Sequence, residues 1–345
     1  MRVQAGGHLT RTEARDAFLP ILAGDYTGAD VAWGALLAGV HTHAGGPQPD
    51  EVLGLIDAIL SYDPALARQL STPIQLANVD QVVAITGSGK ETFKTFNVST
   101  AAALVAACHP GVAVVKPAGR ATSANTGAAE VLEHLGIRLP RSFDEMAEHA
   151  DRTGFCVFDY HLVAQSYGPR YEGRFHHLHP LSHVTPWLFV PVALDALVFG
   201  IAEPNTALAA SIISMIGPAR AAVACTQVGA LGNIDEHAPF GITHVTTVNG
   251  PDTETAVTDH GLPDDLARLR QPPSPTAAAT FVEAVLADDA PELAVDLVVA
   301  NAALMLSLTG MAMADAETAC REYIASGDAT HRLNDIRHAS MEAHA

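Results

Sequence analysis

The sequence predicts an α/β protein: a small helical domain followed by a larger α/β domain with a largely parallel central sheet. Two patterns carry this expectation. Apolar residues recur at helical spacing up to Pro73, and beyond it short β-branched runs alternate with helical segments. The 345 residues, 48% of them hydrophobic, suffice for a large core, and two domains are expected. The helical domain is assigned to 1–72, joined in space by part of 160–190, and the α/β domain to 73–345.

Thr10, Arg11, Thr12 and Glu13 form a capping box, with a cap hydroxyl and a carboxylate three residues on. Ala14, Ala17, Phe18, Ile21 and Leu22 then keep one apolar face, and Gly24 can stop the helix. A second helix start lies at Thr27 to Asp30. A third helix is expected over 50–60, with Val52, Leu53, Leu55, Ile56 and Ile59 inward. Strands are expected at 81–85, 111–115, 155–158, 197–201, 221–225 and 244–248. Helices are expected at 99–107, 127–135, 206–215, 277–287 and 294–308.

A net charge of −19 argues against nucleic acid as a partner. It leaves room for a small phosphorylated ligand, because a local positive pocket can act against the overall charge and magnesium can neutralise phosphates. Cys108, Cys156, Cys225 and Cys320 are far apart and contain no CxxC pair, so they read as reduced thiols of a cytoplasmic protein. No secretory signal is visible. The apolar run 187–202 is short for a membrane span and contains Asp195, so it reads as core.

All three lysines, Lys90, Lys94 and Lys116, fall in one window. The same window holds a glycine turn, Gly87-Ser88-Gly89, after a strand, and a polar helix start, Asn97-Val98-Ser99-Thr100. Backbone amides of a glycine turn and the aligned dipoles of a helix N-terminus can surround an anion, and lysine adds a mobile point charge. The stretch from Gly87 to Gly127 is therefore read as phosphate-handling. A second concentration is histidine: His161, His176, His177, His179 and His183. Their spacing fits no standard zinc pattern. Surface or structural histidines are favoured over a metal site, and contact of His161 and His179 with an aromatic ligand is the preferred functional reading.

The run from Gly87 to Thr100 resembles the GTGGDGxxTFNxST signature of anthranilate phosphoribosyltransferases. Lys116-Pro117-Ala118-Gly119-Arg120, continuing through Ser123 to Gly127, resembles that family's KHGNRxxSSxxG. Ile234-Asp235-Glu236 resembles its LDE metal motif, and Leu178-His179-Pro180-Leu181 its LGPL. The resemblance runs in order over nearly the whole chain. It implies transfer of a phosphoribosyl group from 5-phosphoribosyl 1-pyrophosphate to an aromatic or heteroaromatic acceptor, with Mg2+, commonly by a homodimer.

By the same resemblance the donor-binding positions are Gly87, Ser88, Gly89, Glu91, Thr95, Asn97, Ser99, Thr100 and Lys116. Ser99, Asp235 and Glu236 are the metal positions. Pro117, Gly119, His161, Arg170, His179 and Pro180 fall at or near the acceptor, Arg170 as the counterpart of a carboxylate-binding arginine. No residue is assigned as a catalytic acid or base. The sequence also departs from the family. Lys90 stands at a turn glycine, Glu91 at an aspartate, Pro117-Ala118-Gly119 at the acceptor-side His-Gly-Asn, and His179 at the LGPL glycine. Donor features are mostly kept and acceptor features rewritten, so an acceptor other than anthranilate is expected. Lys116 to Arg120 also resembles the KxSGR of pyrimidine nucleoside phosphorylases. That enzyme class, and a non-catalytic relative binding a phosphorylated metabolite, are the alternatives.

Overall fold

The computed structural model describes residues 3–24, 26–120, 126–250 and 252–342. Four α-helices lead among these residues: α1 (Arg11–Ala23), α2 (Ala29–His41), α3 (Pro49–Tyr62) and α4 (Pro64–Ser71). The capping box forms: Glu13 N donates to Thr10 Oγ1 at 3.3 Å, and Thr10 N donates to Glu13 Oε2 at 2.9 Å. Ala14, Phe18 and Leu22 repeat every fourth residue and bury one face of α1. That face meets α3 closely, because a methyl group at Gly54 would lie 2.2 Å from the Arg11 carbonyl oxygen.

The sequence reading missed α4, although its start is chemically marked. Asp63 Oδ1 accepts from Leu66 N at 3.1 Å, and Pro64 occupies the first turn. The other oxygen of Asp63 accepts from Ser166 N at 2.8 Å and Tyr167 N at 2.9 Å. One buried carboxylate thus caps a helix and ties the 160–190 stretch to it.

Among the described residues eight strands form one sheet: β1 (Gln81–Gly87), β2 (Val112–Ala118), β3 (Phe155–Asp159), β4 (Ala196–Gly200), β5 (Arg220–Gln227), β6 (Asn233–Ile234), β7 (Ile242–Asn249) and β8 (Asp252–Asp259). The order is β3-β2-β1-β4-β5-β7-β8, with β6 paired to β5. The first five are parallel; β6, β7 and β8 pair antiparallel. Between them run α5 (Val98–Ala106), α6 (Ala128–His134), α7 (Phe143–Thr153), α8 (Tyr167–Tyr171), α9 (Thr185–Leu188) and α10 (Thr206–Ile216). The chain ends in α11 (Pro275–Leu286), α12 (Glu292–Ser307), α13 (Met313–Ala325) and α14 (Asp328–Glu342).

Both faces of the sheet are covered, as a parallel sheet requires. Val83, Ile85 and Val114 face a core shared with α5, α11 and α12. Val82, Ala84, Ala113 and Val115 face the opposite core, shared with α3 and α10. The two-residue period of the strands sorts them. Strand β8 went unforeseen because it is exposed throughout and its polar sequence alternates weakly; α7, α13 and α14 were also not anticipated. Among the described residues no helix is long and apolar enough to cross a membrane, and the run 187–202 is divided between α9 and β4. All four cysteines are free thiols.

The order of the parallel strands fixes where a ligand can sit. From β1 the chain moves outward through β2 and β3, then returns to place β4 on the other side of β1. Connections after β1 and β4 therefore diverge, and a crevice opens at the carboxyl ends of these two strands. Gly87 and Gly200, paired in register, stand at that edge.

Candidate functional site

The crevice is a cavity of about 240 Å3. Its floor is the turn after β1, the start of α5 and the loop after β6. Gly87, Ser88, Gly89, Glu91, Thr95, Asn97, Ser99, Lys116, Asp235 and Glu236 all line it, as do Pro117 and Gly119. Positions far apart in the sequence therefore meet at one place. The predicted segment at Ser123 lies outside the described residues.

The acidic loop is locked to the glycine turn. Asp235 Oδ2 accepts from Gly89 N at 2.8 Å and from Ser88 Oγ at 3.1 Å. A methyl group at Gly200 would lie 1.7 Å from the Asp235 carbonyl oxygen, and one at Gly87 2.6 Å from Asp235 Oδ2. Glycine is required at both strand ends for this approach. Glu236 is buried, and its Oε1 accepts from Thr95 Oγ1 at 2.7 Å.

The buried charges of the cavity are crowded and incompletely paired. Glu236 Oε2 and Glu91 Oε2 are buried without a hydrogen-bond partner. Burial, then Asp235, then Glu91 hold Glu236 well above the usual carboxylate range. Burial and Asp235 likewise push Glu91 up to about 7, although Lys94 Nζ lies 2.9 Å from its Oε1. Buried carboxylates crowded this way fit a hard divalent cation, whose charge offsets both desolvation and mutual repulsion.

Lys116 has the opposite deficit. It is 4% exposed, and its ammonium makes one long contact, 3.4 Å to the Pro117 carbonyl oxygen. Burial pushes it down to about 8. An ammonium with three donors and one weak acceptor favours an anion in the cavity. Lys90 is pushed down to about 8 by burial and by Lys94, and its ammonium donates to the Phe175 carbonyl oxygen. The residue replacing a turn glycine thus bridges the glycine turn to the 160–190 stretch.

That stretch supplies the opposite wall: Tyr160, Tyr171, Glu172, Gly173, Phe175, Thr185, Pro186 and Phe189. Tyr160 stacks on Phe189 with centroids 5.7 Å apart, and Tyr167 stacks on Tyr171 at 5.4 Å. A methyl group at Gly119 would come within 3.2 Å of the Tyr160 ring, so the small residue in β2's extension leaves room for that ring. Sequence reading missed these aromatics. The available signal was their crowding into one short stretch of a chain only 6% aromatic.

Several residues singled out from the sequence lie outside the cavity wall. Arg170 turns to the helical part: its Nη2 is 3.4 Å from the Ile21 carbonyl oxygen and 3.3 Å from that of Gly24, and its guanidinium sits 5.9 Å from the Trp33 ring centroid. His161 Nε2 lies 2.8 Å from Glu172 Oε2 and is held behind Tyr160. His179 is buried, contacts Tyr171 Oη at 3.1 Å, and is held well below its ordinary value by burial and by Lys90. It supports Tyr171 from behind. Pro180 is buried next to it, and Thr100 is buried beneath the start of α5. His183 is likewise buried and pushed down to about 3 by burial, then by His41. His161 pairs with Glu172, His179 bonds to Tyr171, and the His183 ring is packed within the wall's support.

A largely parallel sheet covered on both faces carries at its switch point a crevice lined by lysines and buried carboxylates and faced by an aromatic wall, the place where ligands bind in open α/β sheets. The comparisons specify the class. Residues 79–330 match the model described as "Glycosyl transferase family, a/b domain". The anthranilate phosphoribosyltransferase of Shouchella clausii (strain KSM-K16) is 30% identical over 325 residues, covering 90% of this chain and 88% of the relative. Anthranilate phosphoribosyltransferase 2 of Streptomyces coelicolor is 36% identical over 48% of this chain and 46% of its own. The anthranilate phosphoribosyltransferase of Thermus thermophilus shares the fold, with a TM-score of 0.74 at 23% identity over 99% of this chain and 98% of that one. The Saccharomyces cerevisiae enzyme, in complex with PRPP and Mg, has a TM-score of 0.77 at 19% identity over 98% of this chain and 95% of that one.

The chain is therefore a glycosyltransferase, and it belongs to the anthranilate phosphoribosyltransferase family.

Proposed function

We propose that the protein transfers the 5-phosphoribosyl group from 5-phosphoribosyl 1-pyrophosphate to an aromatic acceptor, releasing pyrophosphate. The observation that carries this reading is the juxtaposition, in one cavity, of the under-coordinated Lys116 ammonium with the unsatisfied carboxylates of Glu236 and Glu91. A pyrophosphate ester with a divalent cation completes both.

In this reading the start of α5 at Asn97 and Ser99 would hold the donor's phosphates, with Lys116 as counter-charge, while the glycine turn, whose Ser88 and Gly89 amides are bonded to Gly200 and Asp235, lets the donor approach closely. Thr95 orients Glu236. Asp235, Glu236 and Ser99 would hold Mg2+, which supplies neutralisation of the leaving pyrophosphate. No side chain is needed as acid or base at the reacting carbon. Catalysis rests on charge stabilisation and on placing the acceptor nitrogen in line. The stretch 160–190, moving with the 1–72 helices as a small domain, covers the acceptor. A homodimer in the cytoplasm, as implied by the resemblance, is the expected working form.

The acceptor wall supports a ring other than anthranilate. Pro117 presents no amide donor, Arg170 is turned away from the cavity, and Glu172 places a carboxylate in the wall. A carboxylate on the acceptor would face Glu172, and the one arginine lining the cavity among the described residues, Arg120, is paired with Glu133 and Asp159; an amino or protonated ring nitrogen would find an acceptor at Glu172. The test is pyrophosphate release with the donor and Mg2+ across a panel of aromatic amines and heteroaromatics, anthranilate included. Turnover of a panel member well above anthranilate is expected. Efficient anthranilate turnover would overturn the acceptor assignment, and base release from nucleosides with phosphate alone would overturn the donor assignment.

A further inference from the structure

Among the described residues one set of histidines and carboxylates converges on a point, and it lies outside the cavity. His8 precedes α1, His43 follows α2 and Glu51 sits in the first turn of α3. His8 Nδ1 is 3.0 Å from His43 Nδ1 and 3.2 Å from Glu51 Oε2, and His43 Nδ1 is 3.4 Å from Glu51 Oε1.

With Glu51 ionised, hydrogen bonding leaves this triangle incompletely satisfied. If both Nδ1 atoms carry protons, two N–H groups face each other across 3.0 Å. If one does, the other nitrogen turns a lone pair toward a Glu51 oxygen 3.2 or 3.4 Å away, in a site where Glu51 and His43 are buried.

We propose that His8, His43 and Glu51 form a binding site for a first-row divalent transition metal, zinc in type, with a fourth position open to solvent. A tetrahedral ion with bonds of about 2.0–2.1 Å separates its ligands by about 3.3 Å, which is the scale of this triangle. Two imidazoles and a carboxylate suit such an ion and disfavour magnesium. Both Glu51 oxygens are oriented from behind, by Leu9 N at 2.8 Å and Gln48 N at 3.0 Å, as ligating carboxylates commonly are. The His8 side chain is 40% exposed, which gives an ion an entry side. His43 Nε2 has no hydrogen-bond partner, so this ligand lacks the usual outer support and micromolar affinity is expected. Bound metal would staple the residues before α1 to the turn between α2 and α3.

The experiment uses tag-free, chelator-stripped full-length protein with excess Mg2+ to occupy the carboxylate pair in the cavity. Co2+ is titrated and followed by visible absorption, then displaced with Zn2+. One equivalent of Co2+ with the intense bands of four-coordinate geometry is expected, together with a rise in melting temperature. His8→Ala and His43→Ala should each weaken binding by about 100-fold or more. Glu51→Gln also disturbs the backbone contacts at Leu9 and Gln48, so His8→Ala, at a half-exposed position, is the decisive variant; its circular dichroism and its donor binding should match the parent protein. Absence of stoichiometric Co2+ at millimolar concentration, or equal affinity in the parent and in a His8→Ala/His43→Ala double variant, would overturn the proposal.

Discussion

The two walls of the cavity are built by different means. The wall proposed for the donor, here the donor side as opposed to the proposed acceptor side, stands on the ends of β1, β2 and β4 and the start of α5, and its groups are placed by backbone register. Gly87 and Gly200 are partners in the ladder, and Asp235 is pinned to Gly89 and Ser88. The acceptor side is a stretch of short helical turns held by aromatic stacking, by Asp63 and by the Lys90 bridge to Phe175. Chemistry common to a family can reside on rigid strand ends while specificity is rewritten on irregular backbone, because a change there disturbs no ladder. Two of the departures noted in the sequence, His179 and Lys90, brace the irregular wall, whereas Pro117-Ala118-Gly119 lies at the end of β2 and Glu91 in the turn after β1.

Breaking the donor side should be costly. Asp235→Asn with Glu236→Gln removes the cation's charge partners, and kcat/KM measured with saturating acceptor should fall by about 1,000-fold or more. Lys116→Ala should follow, with a loss of about 100-fold expressed mainly in the donor's affinity by calorimetry. If both losses stayed below about tenfold, the contrast between the walls would collapse.

A pH titration sharpens the comparison without mutation. Lys116 and Lys90 are pushed down to about 8, so each loses its charge as pH rises through that value. An anionic donor binds the form with Lys116 protonated. Its dissociation constant should therefore rise above pH 8, by up to about tenfold per unit, with proton uptake on binding at pH 8 to 9. The unliganded protein should change in the opposite sense. Between about 8 and 10.5 the unfolded chain holds protons that the folded lysines have released, so this contribution makes stability rise with pH.

The smallest effect is expected on the acceptor side. Lys90→Gly frees the Phe175 carbonyl and loosens the aromatic wall. The acceptor KM should change by about tenfold or less, with the donor's affinity nearly unchanged. A large loss of donor affinity would show that Lys90 belongs to the donor side instead.

The sequence made the residues of one cavity wall legible and those of the other much less so, for a physical reason. Gly87-Ser88-Gly89, Asn97 to Thr100, Lys116 and Asp235-Glu236 are compact motifs whose chemistry depends on local backbone, so their positions can be read one by one. Tyr160, Tyr171, Phe175 and Phe189 acquire their role only through tertiary stacking, which no local period encodes. His161, His179 and Arg170 drew attention as reactive residue types, yet they serve behind the wall, and only the fold could show which way they turn. In the fold, strands buried on both faces were readable from their β-branched runs. The exposed β8 was not, because its pairing with β7 rests on backbone contacts rather than side-chain pattern.

The close approach at Gly200 has a consequence for how this scaffold can vary. The acidic loop is located by a missing carbon atom: even alanine there would collide with backbone, which cannot swing aside as a side chain can. A residue bearing no chemistry at all therefore admits no side chain while that loop stays in place, and its replacement would displace both carboxylates together.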